Sequence, residues 1–396
     1  MDDCAVSDLL ALSHALGNDP TLVQAGGGNT SVKASDGQHM FVKASGTTLA
    51  TMSARQGYRC IRIRPLLDLL ADDALMQQPV AEREAAVKER MLAACTDALP
   101  GRPSVESPLH AFLGRCVAHV HSVGVNGLLC ARDGRKAIER IYAGSLPSLY
   151  LAYCDPGLPL ARATWRAVQE YHGRHGALPS LIFLENHGLF VTGTTPTETI
   201  ALVRKTEQRA RRAYEEAAGR PCPLATSHKS SSLNPAAAEI VQRVVRRLWG
   251  AHFKRTPVVR LSRAPAALAV AARDDAAALL AAGPLTPDQV VYAHGAPLWL
   301  EETHSEAVVE KSLAAQLQTT LAHQTSVPRT ILLRNLGLVV ADTTPSSAAM
   351  AEETTVAALE SLLIATAFGG PRGLTPAAAD YIENWEVERF RRSLAQ

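Results

Sequence analysis

The feature that most constrains this fold is a short run of alternating apolar residues and histidines at residues 117–122, VAHVHS. Alternation with a period of two predicts a β-strand, in which every second side chain points to the same face. His119 and His121 therefore share one face, roughly 6.5 Å apart along the strand. Two imidazoles so placed can converge on one divalent ion, although a pair of half-buried structural histidines produces the same pattern.

A catalytic metal site needs a third protein ligand, and His187 is the best candidate in the chain. It lies in a polar interruption between two apolar runs and is followed by Gly188, which lets backbone or ligand come close. Three protein ligands would leave one coordination position open, as is typical of catalytic rather than structural zinc.

The composition is that of an ordinary globular protein, with 47% hydrophobic and 20% charged residues among 396. This length predicts two or three domains, or one α/β domain with an appendage. A net charge of +2 gives no reason to expect nucleic acid as a partner, and no apolar run reaches the roughly 18 residues that a membrane span needs. The opening residues, MDDC, are acidic where a secretory signal is basic, so we expect a cytoplasmic protein without a membrane partner. The seven scattered cysteines contain no CxxC pair and are predicted to be reduced thiols.

Two glycine-containing turns are candidates for binding an anion. Residues 24–33, QAGGGNTSVK, combine three glycines with hydroxyl and amide donors, so backbone N–H groups could face a bound anion. The pattern is not that of a nucleotide-binding loop, and an ordinary turn is the alternative interpretation. Residues 39–48 are predicted to form a strand that runs into a second glycine turn, which could face the first across a pocket.

Glu106 is the carboxylate nearest in sequence to the paired histidines. Ser107 as N-cap and Pro108 at the first helical position predict a helix start, which places Glu106 in the preceding loop. A helix N-terminus favours a carboxylate there, but Glu106 could equally be a general acid or base, or a fourth metal ligand. His110 falls about one turn inside the helix, and we interpret it as structural.

The Pro- and Ser-rich stretch 219–236 is the predicted domain boundary, giving domains at 1–222 and 236–396. In the second domain, residues 330–345 resemble residues 181–196, with Leu336 where His187 stands. Residues 288–298 resemble residues 38–49, and both are predicted to be strands entering small-residue turns. The second half therefore looks like a degenerate copy that kept the strands and lost the metal, although a coincidence between two α/β units is the alternative.

Six motifs in order, GGGNTSVK, VKASG, RPSVESPLH, AHVHS, AYCDPG and ENHGLFVTG, resemble the class II aldolase/adducin family over residues 20–215. The tail motifs PLTPDQVV, RNLGLVVADTTP and ENWEVERFRRSLA resemble the aldolase part of bifunctional rhamnulose-1-phosphate aldolase/alcohol dehydrogenases, without the dehydrogenase domain that those proteins append. The resemblance implies a three-layer α/β/α fold with a mostly antiparallel central sheet, followed by a smaller C-terminal α/β region.

The resemblance also assigns site residues. The family's metal ligands match His119, His121 and His187, its catalytic carboxylate matches Glu106, and its aldehyde-side tyrosine matches Tyr153. The residues that hold the substrate phosphate in the family's sugar-phosphate aldolases match Gly28, Asn29, Ser45, Gly46 and Ser104. Val105 stands where a second serine is common, which puts a phosphorylated substrate in doubt, although Lys43 could supply charge.

The activity implied is retro-aldol cleavage of a hydroxy-ketone or ketose phosphate into an aldehyde and a smaller carbonyl compound. Zn²⁺, or Mn²⁺, Co²⁺ or Fe²⁺, would stabilise the enediolate as a Lewis acid. Glu106, with its pKa raised by burial, would move the proton at the nucleophilic carbon, and Tyr153 would serve the aldehyde-side oxygen.

Three other functions are compatible with the same resemblance. A sugar-phosphate 4-epimerase or a sugar-acid phosphate decarboxylase would use the same metal site, and an adducin-like interaction module would lack catalysis. The family also implies a homo-oligomer, with a tetramer favoured, whose partner is a small carbonyl substrate.

Overall fold

The computed structural model describes residues 2–144, 146–222, 235–322 and 326–385. The chain divides into two compact units, one formed by residues 1–129 and 138–209, the other by residues 130–137 and 210–396. Within the described residues, no helix combines the length and the apolar character that crossing a membrane requires.

The first unit is built on a seven-stranded sheet with the order β3-β2-β1-β4-β7-β6-β5. Its strands are β1 (Asn29–Lys33), β2 (His39–Lys43), β3 (Tyr58–Arg62), β4 (Cys116–Val120), β5 (Ser148–Leu151), β6 (Leu181–Leu184) and β7 (Gly188–Gly193). All neighbouring strands are antiparallel except β5 and β6, which run parallel. The predicted mostly antiparallel central sheet is therefore confirmed.

Helices cover both faces of this sheet. Up to residue 218 they are α1 (Asp3–Gly17), α2 (Ile63–Ala71), α3 (Asp73–Gln77), α4 (Val80–Ala94), α5 (Ser107–Ala111), α6 (Val123–Leu129), α7 (Gly134–Tyr142), α8 (Leu158–His175) and α9 (Pro196–Ala218). Successive residues of a strand point to opposite faces, so Thr30 contacts Ser13 of α1 while Ser31 contacts His110 of α5. The apolar side chains of α2, α4, α5 and α8 share one core with Met40, Val117 and Ile182 of the sheet.

The second unit has a four-stranded sheet with the order β8-β11-β10-β9. Its strands are β8 (Val258–Ser262), β9 (Leu298–Leu300), β10 (Thr330–Leu333) and β11 (Gly337–Asp342). Its helices are α10 (Pro235–Phe253), α11 (Pro265–Ala271), α12 (Ala276–Leu280), α13 (Pro287–Ala293), α14 (Glu306–Leu321), α15 (Pro345–Ala365) and α16 (Pro376–Asn384). Leu332 and Leu338 join one core with α11 and α15, whereas Ile331 and Val339 join another with α10 and α14. Both units are thus sheets with helices on two faces.

The second sheet repeats the strand order and directions of one half of the first, β4-β7-β6-β5. The backbone hydrogen bonds around the two hairpins also correspond. Glu185 N donates to the Leu151 carbonyl and Arg334 N to the Leu300 carbonyl, each over 3.0 Å. Asn186 N donates to the Leu129 carbonyl and Asn335 N to the Ala271 carbonyl. These pairs define which positions of the two units are structurally equivalent.

Two local predictions are wrong. Residues 287–293 form the helix α13 and not a strand, because a short apolar run does not distinguish the two by periodicity and Pro287 pre-sets a helical backbone at the start. Ser107 is not an N-cap. It is the first residue of α5, Glu106 is the N-cap, and Pro108 is the second residue of the helix. The Ser107 hydroxyl donates to the Ser104 carbonyl over 2.6 Å and does not cap the helix.

Candidate metal centre

His119 lies at the centre of the first sheet, on the strand between β1 and β7. In register it is paired with Asn29 on one side and Phe190 on the other. Its side chain is fully buried, and its ring stacks on Phe190 with centroids 4.2 Å apart. His121 follows directly after the end of β4 and is also buried. The alternating pattern therefore brings two imidazoles to one end of a central strand.

His187 reaches the same point from the turn between β6 and β7. Asn186 takes a left-handed conformation (φ 53°), which reverses the chain there. A Cβ atom on Gly188 would lie 2.7 Å from the Val120 carbonyl oxygen and 3.0 Å from Cε1 of His119. Glycine is needed at this position because the turn passes directly over the end of β4.

The three imidazoles form a buried cluster suited to a divalent cation. Their candidate ligand nitrogens all lie within 4.8 Å of one another. Nε2 of His119 and Nε2 of His121 are 3.1 Å apart. Two tetrahedral ligands with Zn–N bonds of about 2.0–2.1 Å would be separated by about 3.3–3.4 Å. The donor set and its spacing therefore fit a metal bound by three histidines, a set that suits zinc and other borderline metals.

Glu106 completes the cluster from the start of α5. One carboxylate oxygen lies 3.6 Å from Nε2 of His119 and the other 3.3 Å from Nε2 of His187. The side chain is buried. At these distances the carboxylate can accept a proton from a substrate held beside the histidines or serve as a fourth ligand.

The pKa of Glu106 lies well below its usual range. Burial raises it, but attraction to His119 and a hydrogen bond from His187 together outweigh burial. The expectation that burial raises this pKa overall is therefore wrong, because the neighbouring imidazoles favour the charged form. Glu106 is accordingly an ionised carboxylate at neutral pH.

A buried hydrogen-bond chain holds Glu106 in place from behind. Nδ2 of Asn29 donates to Oε2 of Glu106 over 2.5 Å, and Oδ1 of Asn29 accepts from Nε2 of His110. Because Oδ1 can only accept, His110 carries its proton on Nε2, so Ser31 Oγ donates to its Nδ1 over 2.8 Å. Burial lowers the pKa of His110 to about 3, which keeps the ring neutral. The structure thus places Asn29 against the carboxylate, and its contact with a substrate phosphate stays a prediction.

The remaining candidate anion-binding residues meet where β2 ends. Ser104 N donates to the Lys43 carbonyl over 2.9 Å, and Ser45 N donates to the Arg102 carbonyl over 2.8 Å. Nζ of Lys43 donates to the Gly26 carbonyl over 3.2 Å, which links this segment to the first glycine turn. The buried hydroxyl of Ser45 has no hydrogen-bond partner among the described residues.

Gly28 and Gly46 both have positive φ values, 62° and 79°. A Cβ atom on Gly28 would lie 2.8 Å from the His119 carbonyl oxygen, so this turn packs directly on β4. The two glycine turns predicted to face each other are thus connected through Lys43, and one of them borders the histidine strand.

Tyr153 belongs to a neighbouring hydrogen-bond network. Its phenol donates to Asp155 over 3.2 Å, and its backbone N donates to Oε2 of Glu185 over 2.8 Å. Tyr150 donates to the other oxygen of Glu185. Tyr153 is therefore tied to the turn that carries His187, while its described hydrogen bonds lie outside the histidine cluster.

Glu207 was missed by the sequence analysis. It is buried on α9 and accepts hydrogen bonds from the Ser122 hydroxyl and from the backbone N–H groups of Gly124 and Val125. These residues directly follow His121. In the sequence Glu207 is one of many charges on a long helix, and nothing in its spacing separates it from the solvent-exposed ones.

The fold and the site together define an α/β protein with a candidate divalent-metal centre of three histidines and a carboxylate. Residues 7–214 match the family model of the class II aldolase and adducin N-terminal domain, and residues 234–326 match the model of the aldolase class II second domain. The chain belongs to the class II aldolase/adducin family, as its motifs predicted.

Individual relatives are more distant. The chain is 25% identical to "Uncharacterized oxidoreductase YuxG" of Bacillus subtilis (strain 168) over 98% of its own length, but spans only 58% of the length of that protein. The N-terminal class II aldolase domain of a conserved protein from Thermoplasma acidophilum is 27% identical, with coverage of 52% of this chain and 91% of that one and a TM-score of 0.43. L-fuculose-1-phosphate aldolase from Thermus thermophilus is 17% identical, with coverage of 55% and 98% and a TM-score of 0.35.

Proposed function

We propose that this protein is a divalent-metal-dependent aldolase that cleaves a hydroxy-ketone or ketose phosphate into an aldehyde and a smaller carbonyl compound. The observation that carries the proposal is the buried cluster of His119, His121 and His187, with Glu106 oxygens 3.3 and 3.6 Å from two of its ring nitrogens. Membership of the class II aldolase/adducin family supports the same chemistry.

In this proposal the three histidines hold the metal, which is Zn²⁺ or another divalent ion such as Mn²⁺, Co²⁺ or Fe²⁺. When bound, the ion would act as a Lewis acid toward the oxygens of the substrate. The side chains of all three histidines are buried.

Glu106 acts as the base in this proposal. As an ionised carboxylate it takes the proton from the nucleophilic carbon in the direction of condensation and returns it to carbon in the direction of cleavage. Asn29 fixes the orientation of the carboxylate by donating to one of its oxygens, and the neutral His110 fixes Asn29 in turn. Proton transfer therefore takes place at an oxygen whose position is set by a buried chain of side chains.

The substrate's anionic end would lie against the segment formed by Lys43, Ser45, Gly46 and Ser104, next to the turn of Gly28. The unpartnered Ser45 hydroxyl supports this placement. Val105 has no hydroxyl at the position where a second serine is common in the sugar-phosphate aldolases that the motifs resemble, so the anion would have one hydrogen-bond donor fewer. In the direction of cleavage Tyr153, released from Asp155, would receive the proton of the aldehyde-side hydroxyl, and in the direction of condensation it would return that proton to the oxygen.

The narrower likeness to the aldolase part of bifunctional rhamnulose-1-phosphate aldolase/alcohol dehydrogenases stays a prediction. The homo-oligomer, with a tetramer favoured, also stays a prediction, and light scattering on the purified protein would measure it.

Metal analysis of the purified protein, coupled to a screen for aldehyde release, tests the proposed function. The screen compares ketose phosphates with unphosphorylated β-hydroxy ketones, and we expect bound divalent metal and aldehyde release from at least one of the two groups. A sugar phosphate epimerised at C4 would identify a 4-epimerase instead, and release of carbon dioxide from a sugar-acid phosphate would identify a decarboxylase. A protein that purifies without metal and binds none on addition would be the adducin-like interaction module.

A further inference from the structure

We propose that Glu207 is a positioning residue, which fixes the backbone that follows His121 and thereby sets the direction of that imidazole toward the metal. The inference rests on the proposed function, because it assigns Glu207 a role in the same metal centre. Glu207 itself does not contact the three histidine rings through any of its described hydrogen bonds, which all go to residues 122–125.

The contacts of Glu207 concentrate on the segment after His121. The Ser122 hydroxyl donates to Oε2, Gly124 N donates to both carboxylate oxygens over 3.0 Å, and Val125 N donates to Oε2 over 3.2 Å. The backbone immediately after the ligand is therefore fixed by one buried side chain from α9.

The approach of Glu207 requires glycine at position 124. A Cβ atom there would lie 2.8 Å from both carboxylate oxygens. The segment is held from a second direction as well, because Val123 N donates to the Thr21 carbonyl over 2.9 Å. Two anchors, one on α9 and one at Thr21, hold the residues that directly follow His121 and so restrict its direction.

The second unit shows that this fold does not need such a carboxylate. Leu189 pairs with Val120 in the first unit, and Leu338 pairs with Ser262 in the second, so β8 and α11 can be placed on β4 and α6 residue by residue. In this placement Ala264 and Ala266 occupy the positions of Ser122 and Gly124.

The counterpart of Glu207 is found by comparing α9 and α15, the helices that follow the two hairpins. Both helices begin with proline, Pro196 in α9 and Pro345 in α15, and Val356 occupies the position in α15 that Glu207 occupies in α9. Val356 packs on the same apolar core as Ala266.

The polar network is thus replaced by hydrophobic packing in the unit where the ligands are also replaced. Leu261, Arg263 and Leu336 stand at the positions of His119, His121 and His187. A purely structural carboxylate would be expected in both units, since both form the same strand, turn and helix. Its restriction to the unit with the histidines points to a role in the metal centre.

The test replaces three residues of the first unit by the residues at the equivalent positions of the second. The triple variant in the full chain is Ser122→Ala, Gly124→Ala and Glu207→Val. Zn²⁺ affinity is measured by competition with a chelator, and thermal unfolding is measured on the metal-free protein. We expect the metal-free melting temperature to stay close to that of the unchanged protein and the Kd for Zn²⁺ to rise about 10- to 100-fold, as for other residues that support metal ligands.

Tyr142→Phe is the matched control. It removes a buried hydrogen bond of 2.7 Å to the carbonyl of Thr206, the neighbour of Glu207, while the donors in residues 122–125 that bind the carboxylate are kept. We expect it to lower the melting temperature and leave the Kd for Zn²⁺ unchanged. Glu207→Gln retains one acceptor oxygen, so its Kd is expected to lie between those of the unchanged protein and the triple variant.

A triple variant that binds Zn²⁺ as tightly as the unchanged protein would overturn the positioning role and leave the proposed function intact. If the triple variant does not fold, Glu207→Gln decides, and an unchanged Kd in that variant overturns the inference. Failure of the unchanged protein to bind Zn²⁺, Mn²⁺, Co²⁺ or Fe²⁺ would overturn both proposals.

Discussion

The hairpins β6–β7 and β10–β11 have corresponding turns with the same backbone hydrogen bonds, and they carry different side chains there. Asn186 and Asn335 both adopt the left-handed conformation, with φ values of 53° and 57°. The glycine two residues later meets the neighbouring strand in both, since an added Cβ would lie 2.7 Å from the Val120 carbonyl oxygen in one and 2.6 Å from that of Ser262 in the other. The residue between them is His187 in the first hairpin and the buried Leu336 in the second.

The comparison shows which features belong to the fold and which to the site. The asparagine and the glycine are present in both hairpins, so the close approach of the turn to the neighbouring strand is a requirement of the fold. The glycine is therefore no evidence for a ligand by itself. The imidazole is the part that differs, and it lies next to His119 on β4, His121 directly after that strand and Glu106 beside them.

The two units also differ at the strand that carries the ligands. In the first sheet β4 is central and pairs with β1, which supplies Asn29 to Glu106. In the second sheet β8 is the terminal strand of the described order. The position of Glu106 thus depends on β1, and the second sheet has no counterpart of β1 to β3 among the described residues.

The largest expected effect comes from giving the first hairpin the residue of the second. We expect His187→Leu to fold, because leucine occupies the equivalent turn position in the second unit, and to lose bound metal together with turnover. His121→Ala should do the same, with turnover lower by about 10³-fold or more, since the Lewis acid contributes several kcal/mol. Elemental analysis and aldehyde release measure both effects, and normal metal content in His121→Ala would contradict the ligand assignment.

Removal of the base should separate chemistry from metal binding. We expect Glu106→Gln to retain metal and to lower kcat by about 10²- to 10⁴-fold, because general base catalysis contributes on this scale. The conservative amide keeps the size of the side chain and its place next to Asn29. Substantial turnover with intact metal content would rule out Glu106 as the base.

Alanine at the two equivalent glycines should destabilise both units and affect the metal in only one. We expect Gly188→Ala and Gly337→Ala each to cost about 1–3 kcal/mol of unfolding free energy through overpacking, with a further cost at Gly337 because its φ is 119°. Zn²⁺ affinity should fall in Gly188→Ala alone, since the added methyl would lie 2.9 Å from Cδ2 of His121. Urea unfolding and chelator competition measure the two quantities, and weaker Zn²⁺ binding in Gly337→Ala would refute the comparison.

The smallest effect concerns the pH dependence that His110 gives to the first unit. Its pKa in the folded protein is about 3, against an ordinary value of 6.5, because burial disfavours the charged ring. Below about pH 6.5 the unfolded chain therefore binds a proton that the folded protein does not, so stability falls as the pH falls, by about 1 kcal/mol between pH 6 and pH 5. Urea unfolding at the two pH values measures this loss. In His110→Gln, which does not titrate, the loss should shrink by that amount, and an unchanged pH dependence would show that another group is responsible.

Much of the fold was accessible from local patterns. The alternation in residues 117–122 predicted β4, the motifs predicted the family, and the similarity of residues 181–196 to residues 330–345 predicted two related hairpins. The helix at Pro287–Ala293 was missed because a segment this short fits both the helical period of 3.6 residues and the strand period of two. Only packing against the neighbouring helices α15 and α16 decides between helix and strand.

The sequence by itself determined the strand with paired histidines, the turn with His187 and the presence of a carboxylate before α5, since each depends on the spacing of neighbouring residues. Only the tertiary structure decided that Asn29 contacts Glu106, that the imidazoles lower the pKa of this carboxylate, and that Glu207 holds the backbone after His121. These contacts join residues far apart in the chain. They follow from the order of strands β1, β4 and β7 and from the packing of α9, which local periodicity does not encode.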